Sequence, residues 1–362
     1  MNAFLMCFSA GGCFLLSFLL LFHPLRQNLV ANKWLAFFVL IMGTAFLGIY
    51  FNSTAFSSLQ FILPPCIYLS TLYFVEPLRV FKKKEWLHFM PYLVCLVLQV
   101  MYTSKGGDFM TATLFEIGNF TFFIRDLLPF VFLIYISLSY RALMVHKKNL
   151  KLITAAVKEI DLAWLQYFVL ILGIISIFWV NDAVFGFPFL VKAMPVVYTG
   201  SIFFLAYFSI RQGTIFAFNK ADLKDISDLL KKPLPNEKQK TVRLTDKEFT
   251  VFSAKLNQLM VEDQVFLNNE LSLPALANQL GLSIHDTSYL INRLTEGNFY
   301  SFINQLRVEE AQRLLIAGRM EELNMVGIAF ASGFNSKTAF NTAFKKYTGY
   351  SPTAYVKQQR SD

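Results

Sequence analysis

Near the C-terminus, Lys337, Thr338, Asn341 and Lys345 recur at one-, three- and four-residue steps, so a helix sets them side by side. Ala339, Phe340, Ala343 and Phe344 take the other side, an apolar stripe that must pack inward. In a major groove such a polar face has specific chemistry: Asn pairs with adenine, and Lys reaches guanine or phosphate. Asn335 or Ser336 stands where a helix cap is needed, and Lys346 extends the basic end. Upstream, Ile328 and Ala329 mark a short helix, and Gly333 falls at a turn that favours positive φ. The stretch from Met325 to Pro352 therefore reads as a helix-turn-helix. Taken alone, it reads equally well as the solvated face of an ordinary helical domain.

A second copy upstream decides between the two. Leu273, Leu276, Ala277 and Leu280 form a helical stripe, Gly281 makes the turn, and Ser283 with Asp286 gives a capping box opening the next helix. There Thr287, Leu290, Ile291 and Leu294 are expected to face in, and His285, Ser288, Tyr289 and Asn292 to face out. Between the motifs, Phe299, Phe302, Ile303, Leu306, Ala311, Leu314 and Leu315 keep helical spacing up to Gly318, as in one long helix holding both readers. With Ser283 and Asn335 at the helix starts, these outward residues form the candidate DNA-binding set.

The segment from Glu248 to Lys357 resembles the DNA-binding domain of bacterial transcription factors of the arabinose-regulator (AraC) type. The residues that carry the likeness are Leu276-Ala277, Leu280 to Ser283, Phe302, Leu306-Arg307, Ala311 to Leu315, Ile328-Ala329, Gly333-Phe334, Phe340, Phe344-Lys345 and Gly349 to Pro352. The resemblance implies two recognition helices reading successive major grooves about one helical turn apart. It also implies that Arg307 is a structural residue of the linking helix.

Other chemistry is not indicated. The four cysteines, Cys7, Cys13, Cys66 and Cys95, lie in apolar stretches without metal-ligand spacing, and the four histidines are scattered. No phosphate loop, dinucleotide fingerprint or nucleophile-base pair occurs. No enzyme activity and no cofactor or metal is expected.

The remaining two thirds of the chain explain its composition. With 362 residues, 55% of them hydrophobic and only 16% charged against about a quarter in soluble domains, the chain cannot be a single soluble globule. Its 40 Phe contribute to that excess. Ala3 to Phe22 carries no charge and is long enough to cross a bilayer, which takes about 20 residues. Six more stretches follow at Trp34 to Phe51, Gln60 to Glu76, Trp86 to Ser104, Asn119 to Tyr140, Leu162 to Val180 and Pro195 to Ile210, seven in all. Pro64-Pro65 interrupts the third.

Basic residues fix an orientation. Connections after the first, third and fifth spans hold Arg26, Lys33, Arg79, Lys82 to Lys84, Arg141, Lys147, Lys148, Lys151 and Lys158, while the opposite ones hold only Lys105 and Lys192. The basic set is expected in the cytoplasm, the N-terminus outside, and the tail inside. Of the net charge of +9, residues 1–212 carry 15 basic against 8 acidic groups and residues 213–362 carry 18 against 16. The positive balance thus follows the membrane topology, and a tail so near neutrality predicts modest non-specific DNA affinity.

The expected fold is all-α: a polytopic seven-helix bundle over 1–212, a linker over 213–244 centred on Lys231 to Asn236, and a double helix-turn-helix domain over 245–362. Ala221 to Leu230 is expected as a short helix along the membrane surface. Arg125 and Asp126, ionisable groups inside the fifth span, are the candidate sensing residues. Phe185 to Phe189 with Tyr102 and Phe109 form a candidate apolar pocket. The expected function is a membrane-embedded transcriptional regulator acting on double-stranded promoter DNA. Membrane lipid, RNA polymerase, a second copy of the chain and a small-molecule or membrane signal are its other expected partners. The alternative is a transporter or channel whose tail docks cytoplasmic proteins.

Overall fold

The computed structural model describes residues 2–22, 28–51, 58–76, 78–103, 120–155, 162–184, 188–213, 218, 220–231, 243–295 and 297–359. Among these the protein is helical, with one isolated antiparallel bridge between Thr154 and Ser272 and no strand. It divides into two compact units. The first is Met1–His146 with Leu162–Phe216, and the second is Lys147–Asp161 with Ala217–Asp362.

The first unit contains α1 (Asn2–Leu21), α2 (Leu29–Tyr50), α3 (Leu63–Val75), α4 (Met90–Thr103), α5 (Phe120–Leu150) up to His146, α6 (Ala163–Val184) and α7 (Pro188–Arg211). Six helical stretches among the described residues are long and apolar enough to cross a membrane. The third of them starts as a 3-10 turn, Ser58–Ile62, because Pro64 and Pro65 lack the amide hydrogen that a helix interior needs and are tolerated in its first turn. Likewise Pro91 sits in the first turn of α4, so the stretch expected from Trp86 is a 3-10 turn, Lys83–Phe89, followed by an α-helix of 14 residues. Among the described residues that α-helix is shorter than the other six stretches, and Ser104 lies outside them.

Small and hydroxylic residues hold this unit together, as they do where helices must approach without a hydrophobic driving force. A β-carbon on Gly43 would lie 3.0 Å from Cys13 Cβ and 3.1 Å from the Phe14 ring, so α1 and α2 pack almost backbone to backbone there. Ser17 donates to the Ala36 carbonyl at 3.0 Å and Ser70 to the Ala31 carbonyl at 3.0 Å. Outward faces are apolar: Phe4, Leu15, Phe18, Phe37, Ile134 and Ile177 are all exposed. The cysteines are free, with Cys13, Cys66 and Cys95 buried.

The second unit contains the last turn of α5, α8 (Lys220–Lys231), α9 (Asp246–Val261), α10 (Leu273–Leu280), α11 (Ile284–Thr295), α12 (Phe299–Ile316), α13 (Met325–Ala331), α14 (Lys337–Thr348) and α15 (Pro352–Gln359). Thr245 opens α9 with a full capping box to Glu248. Val308, Ala311, Leu315, Ile328, Phe334, Phe340 and Phe344 form a buried cluster joining α12 to α13 and α14. Helix α8 does form, but its apolar stripe is committed elsewhere than a membrane surface. The helix packs on α11, with Ile226 and Leu229 buried.

Candidate nucleic-acid interface

The second motif is built by caps and one glycine. Asn324 accepts from the Val326 and Gly327 amides and opens α13; Ser336, and not Asn335, caps α14 by accepting from Ala339 N at 3.2 Å. Between them Gly333 has φ +88°, where a side chain would be strained. A β-carbon there would also lie 2.8 Å from the Phe266 carbonyl oxygen and 2.9 Å from Leu267 Cα. Only glycine lets this turn rest on the 265–267 segment.

Arg307 works on the same spot. It is 1% exposed, donates from Nε to the Phe266 carbonyl and from Nη2 to the Asn268 carbonyl, each at 2.8 Å, and lies over the Phe334 ring. Burial pushes its guanidinium down to about 10. One side chain of the linking helix thus ties the segment beneath the first motif to the turn of the second, the structural role the family resemblance implies.

With Phe340, Ala343 and Phe344 buried, α14 turns Lys337, Thr338, Asn341, Thr342, Lys345 and Lys346 to the exterior, all exposed. Among the described residues Lys337, Asn341 and Lys345 make no side-chain hydrogen bond or ion pair. Lys346 lies over the Tyr347 ring, and Asn335 is half-buried before the cap. Thr342, outside the set expected from spacing, belongs to this face too; it stands one turn after Thr338 and donates to that residue's carbonyl. A row of amide, hydroxyl and ammonium groups on an otherwise apolar helix is suited to reading base edges and phosphates.

The first motif keeps the outline and differs in exposure. Gly281 closes α10 at φ +74°, and Ser283 donates to Asp286 at 2.6 Å while accepting from its amide, so that hydroxyl is engaged in a cap. Thr287, Leu290 and Ile291 are buried as expected, and Ile284 is buried with them, whereas Leu294, near the helix end, is exposed. His285, Ser288, Tyr289 and Asn292 share the outer face but are all half-buried. Asn292 turns back on its own helix, donating to the Ser288 carbonyl at 2.9 Å, and Tyr289 accepts from Arg293. Arg293 in turn lies over Phe249 of α9. Of the two candidate readers, then, α14 presents open side chains, whereas α11 presents half-buried ones of which Ser288, Tyr289 and Asn292 are hydrogen-bonded, with α8 packed on it.

In the first unit, Arg125 and Asp126 fall on the early part of α5, and their side chains lie outside the described residues, as do Phe185, Tyr102 and Phe109; Phe189 is exposed. An apolar cavity of about 100 Å³ opens between Phe38, Met42, Phe46, Phe132, Trp179 and Tyr198. Among the described residues no group of three or more His, Cys, Asp or Glu could hold a metal ion.

Residues 276–358 match the family described as Helix-turn-helix domain, and the chain carries that domain at its C-terminal end. An uncharacterized HTH-type transcriptional regulator in the cgkA 5′ region of Pseudoalteromonas carrageenovora is 26% identical over 153 residues, covering 39% of this chain and 87% of that protein. No solved structure matches.

Proposed function

We propose that the protein is a membrane-embedded transcriptional regulator whose cytoplasmic tail binds promoter DNA sequence-specifically through α14 and α11. The observation that carries the reading is the open face of α14, set on a buried phenylalanine core within a helix-turn-helix domain. Lys337, Thr338 and Asn341 are its base-reading groups, and Lys345 and Lys346 meet phosphate. Helix α11 reads second through His285, Ser288, Tyr289 and Asn292, once the last three are released from their hydrogen bonds.

The six long apolar stretches support membrane insertion, with α4 as a seventh crossing that leaves the N-terminus outside and the tail in the cytoplasm. The seven-helix half senses a signal. Its cavity suits a small apolar ligand, since packed apolar interiors of that order stay dry and accept such molecules. Because α8 follows α7 in sequence and packs on α11, a shift of α7 would be felt at the first reader. A second copy of the chain and RNA polymerase are the partners such a regulator would recruit.

The test is genome-wide mapping of DNA crosslinked to the full-length protein, beside the double variant Lys337→Ala/Asn341→Ala. Discrete sites that vanish in the variant are expected; an unchanged map would sink the assignment. An unchanged map with normal membrane insertion would favour the docking-module alternative.

A further inference from the structure

Residues 151–155, just after α5, belong to the second unit by their contacts. The last turn of α5 runs on through a tight turn in which the amides of Leu152, Ile153 and Thr154 donate to the Asn149 and Leu150 carbonyls. The segment then lies against two helix starts. Leu273 N, the first amide of α10, donates to the Ile153 carbonyl at 2.7 Å, and Tyr300 N, in the first turn of α12, donates to the Lys151 carbonyl at 3.2 Å. Thr154 bridges Ser272, the N-cap of α10, in antiparallel fashion, and Lys151 Nζ sits 5.6 Å from the Tyr300 ring centre. Leu150, Ile153, Thr154 and Ala155 are buried.

The first amides of a helix have no partner inside it and must find one outside. Here a single short segment supplies carbonyls to two such ends, one beneath the first reader motif and one on the helix that links both motifs. Its acceptors are main-chain atoms knit to the end of α5, so they move with that helix. We propose that residues 151–155, which follow α5, are an intramolecular regulatory partner of the DNA-binding unit. Docked, it caps α10 and α12 and holds the readers in register; displaced with α5, it uncaps both and weakens specific DNA binding. This rests on the reading of the tail as a DNA binder.

The test uses the full-length chain in detergent, with a duplex recovered from the crosslinking map. Ile153→Asp should undock the segment, speed amide exchange at Leu273 and Tyr300 while α14 keeps its protection, and weaken binding to that duplex about tenfold, the factor expected for two lost capping bonds. Ile153→Val should change neither. Should Ile153→Asp also expose α14, the pair Thr154→Cys/Ser272→Cys reads the same point within one protein: antiparallel partners are close enough for a disulfide, and oxidation should raise affinity relative to the reduced form. Failure of the pair to crosslink overturns the docking. Faster exchange with unchanged affinity, or equal affinity of the oxidised and reduced pair, overturns the regulatory role and leaves the DNA reading standing. If the unmodified chain shows no preference for the duplex over random DNA, the DNA reading fails, and the regulatory role with it.

Discussion

Lys337 and Asn341 stand a turn apart with no partner of their own among the described residues, so their removal should cost binding and spare the fold. Each alanine variant is expected to weaken binding to a target duplex by roughly 10- to 100-fold, the range for one lost base contact. Lys345→Ala should instead weaken all sequences alike and lower the salt slope by about 1. Competition binding across a salt series separates the two behaviours. Gly333 and Gly281 both have positive φ, yet only Gly333 is pressed against other backbone. Gly281→Ala should cost about 1 kcal/mol and Gly333→Ala roughly 3 kcal/mol or more, because strain is joined by overpacking. Arg307→Met strips the Phe266 carbonyl of its donor, leaves the Asn268 carbonyl only the Leu271 amide, and should cost about 2–3 kcal/mol. Lysine would restore the charge without the fork that spans both carbonyls. Hydrogen exchange of α12 to α14 reads all three.

Among the helices, the two motifs were legible because each is local: stripe, glycine and cap lie within a few residues, as at Gly281 with Ser283 and at Gly333 with Ser336. The choice of Ser336 over Asn335 was not, since both types cap and only backbone geometry decides. The docking of residues 150–155 left no trace in sequence, because it pairs Thr154 with Ser272 far along the chain and uses main-chain acceptors. Helix α8 was expected over Ala221 to Leu230, but an amphipathic sequence does not say what covers its apolar face. Ile226→Ala should loosen α8 from α11 at a cost of about 2 kcal/mol, seen as faster exchange in α8 and greater labelling of Tyr289. The capping box of α9 gives a pH dependence. The Thr245 amide, and then its hydroxyl, donate to Glu248 and hold its carboxyl below the usual 4.5. A depressed acid contributes stability that is fully present above its unfolded value and lost as pH falls through the folded one. Protection factors in the first turn of α9 should therefore fall as pH drops through the folded value, and Glu248→Gln should flatten the response.

Across the whole chain, the placement of residues 147–161 in the same unit as the tail bears on topology. On the proposed reading, segments that share a folded unit share one side of the membrane, so α6 and α7 would go out and return, the arrangement expected from the distribution of lysines. In a Cys7→Ala background, cysteines at Lys148 and Lys357 should react with an impermeant maleimide only after cells are broken, and one at Lys192 in intact cells. Labelling of the Lys148→Cys chain from outside would reverse the orientation. The discontinuous make-up of the second unit has one more consequence. A protease cutting between Arg211 and Arg243 would liberate a soluble fragment stripped of Lys147–Asp161, leaving the starts of α10 and α12 open to water. If residues 151–155 act as proposed, such a fragment should bind the target duplex more weakly than the intact chain does.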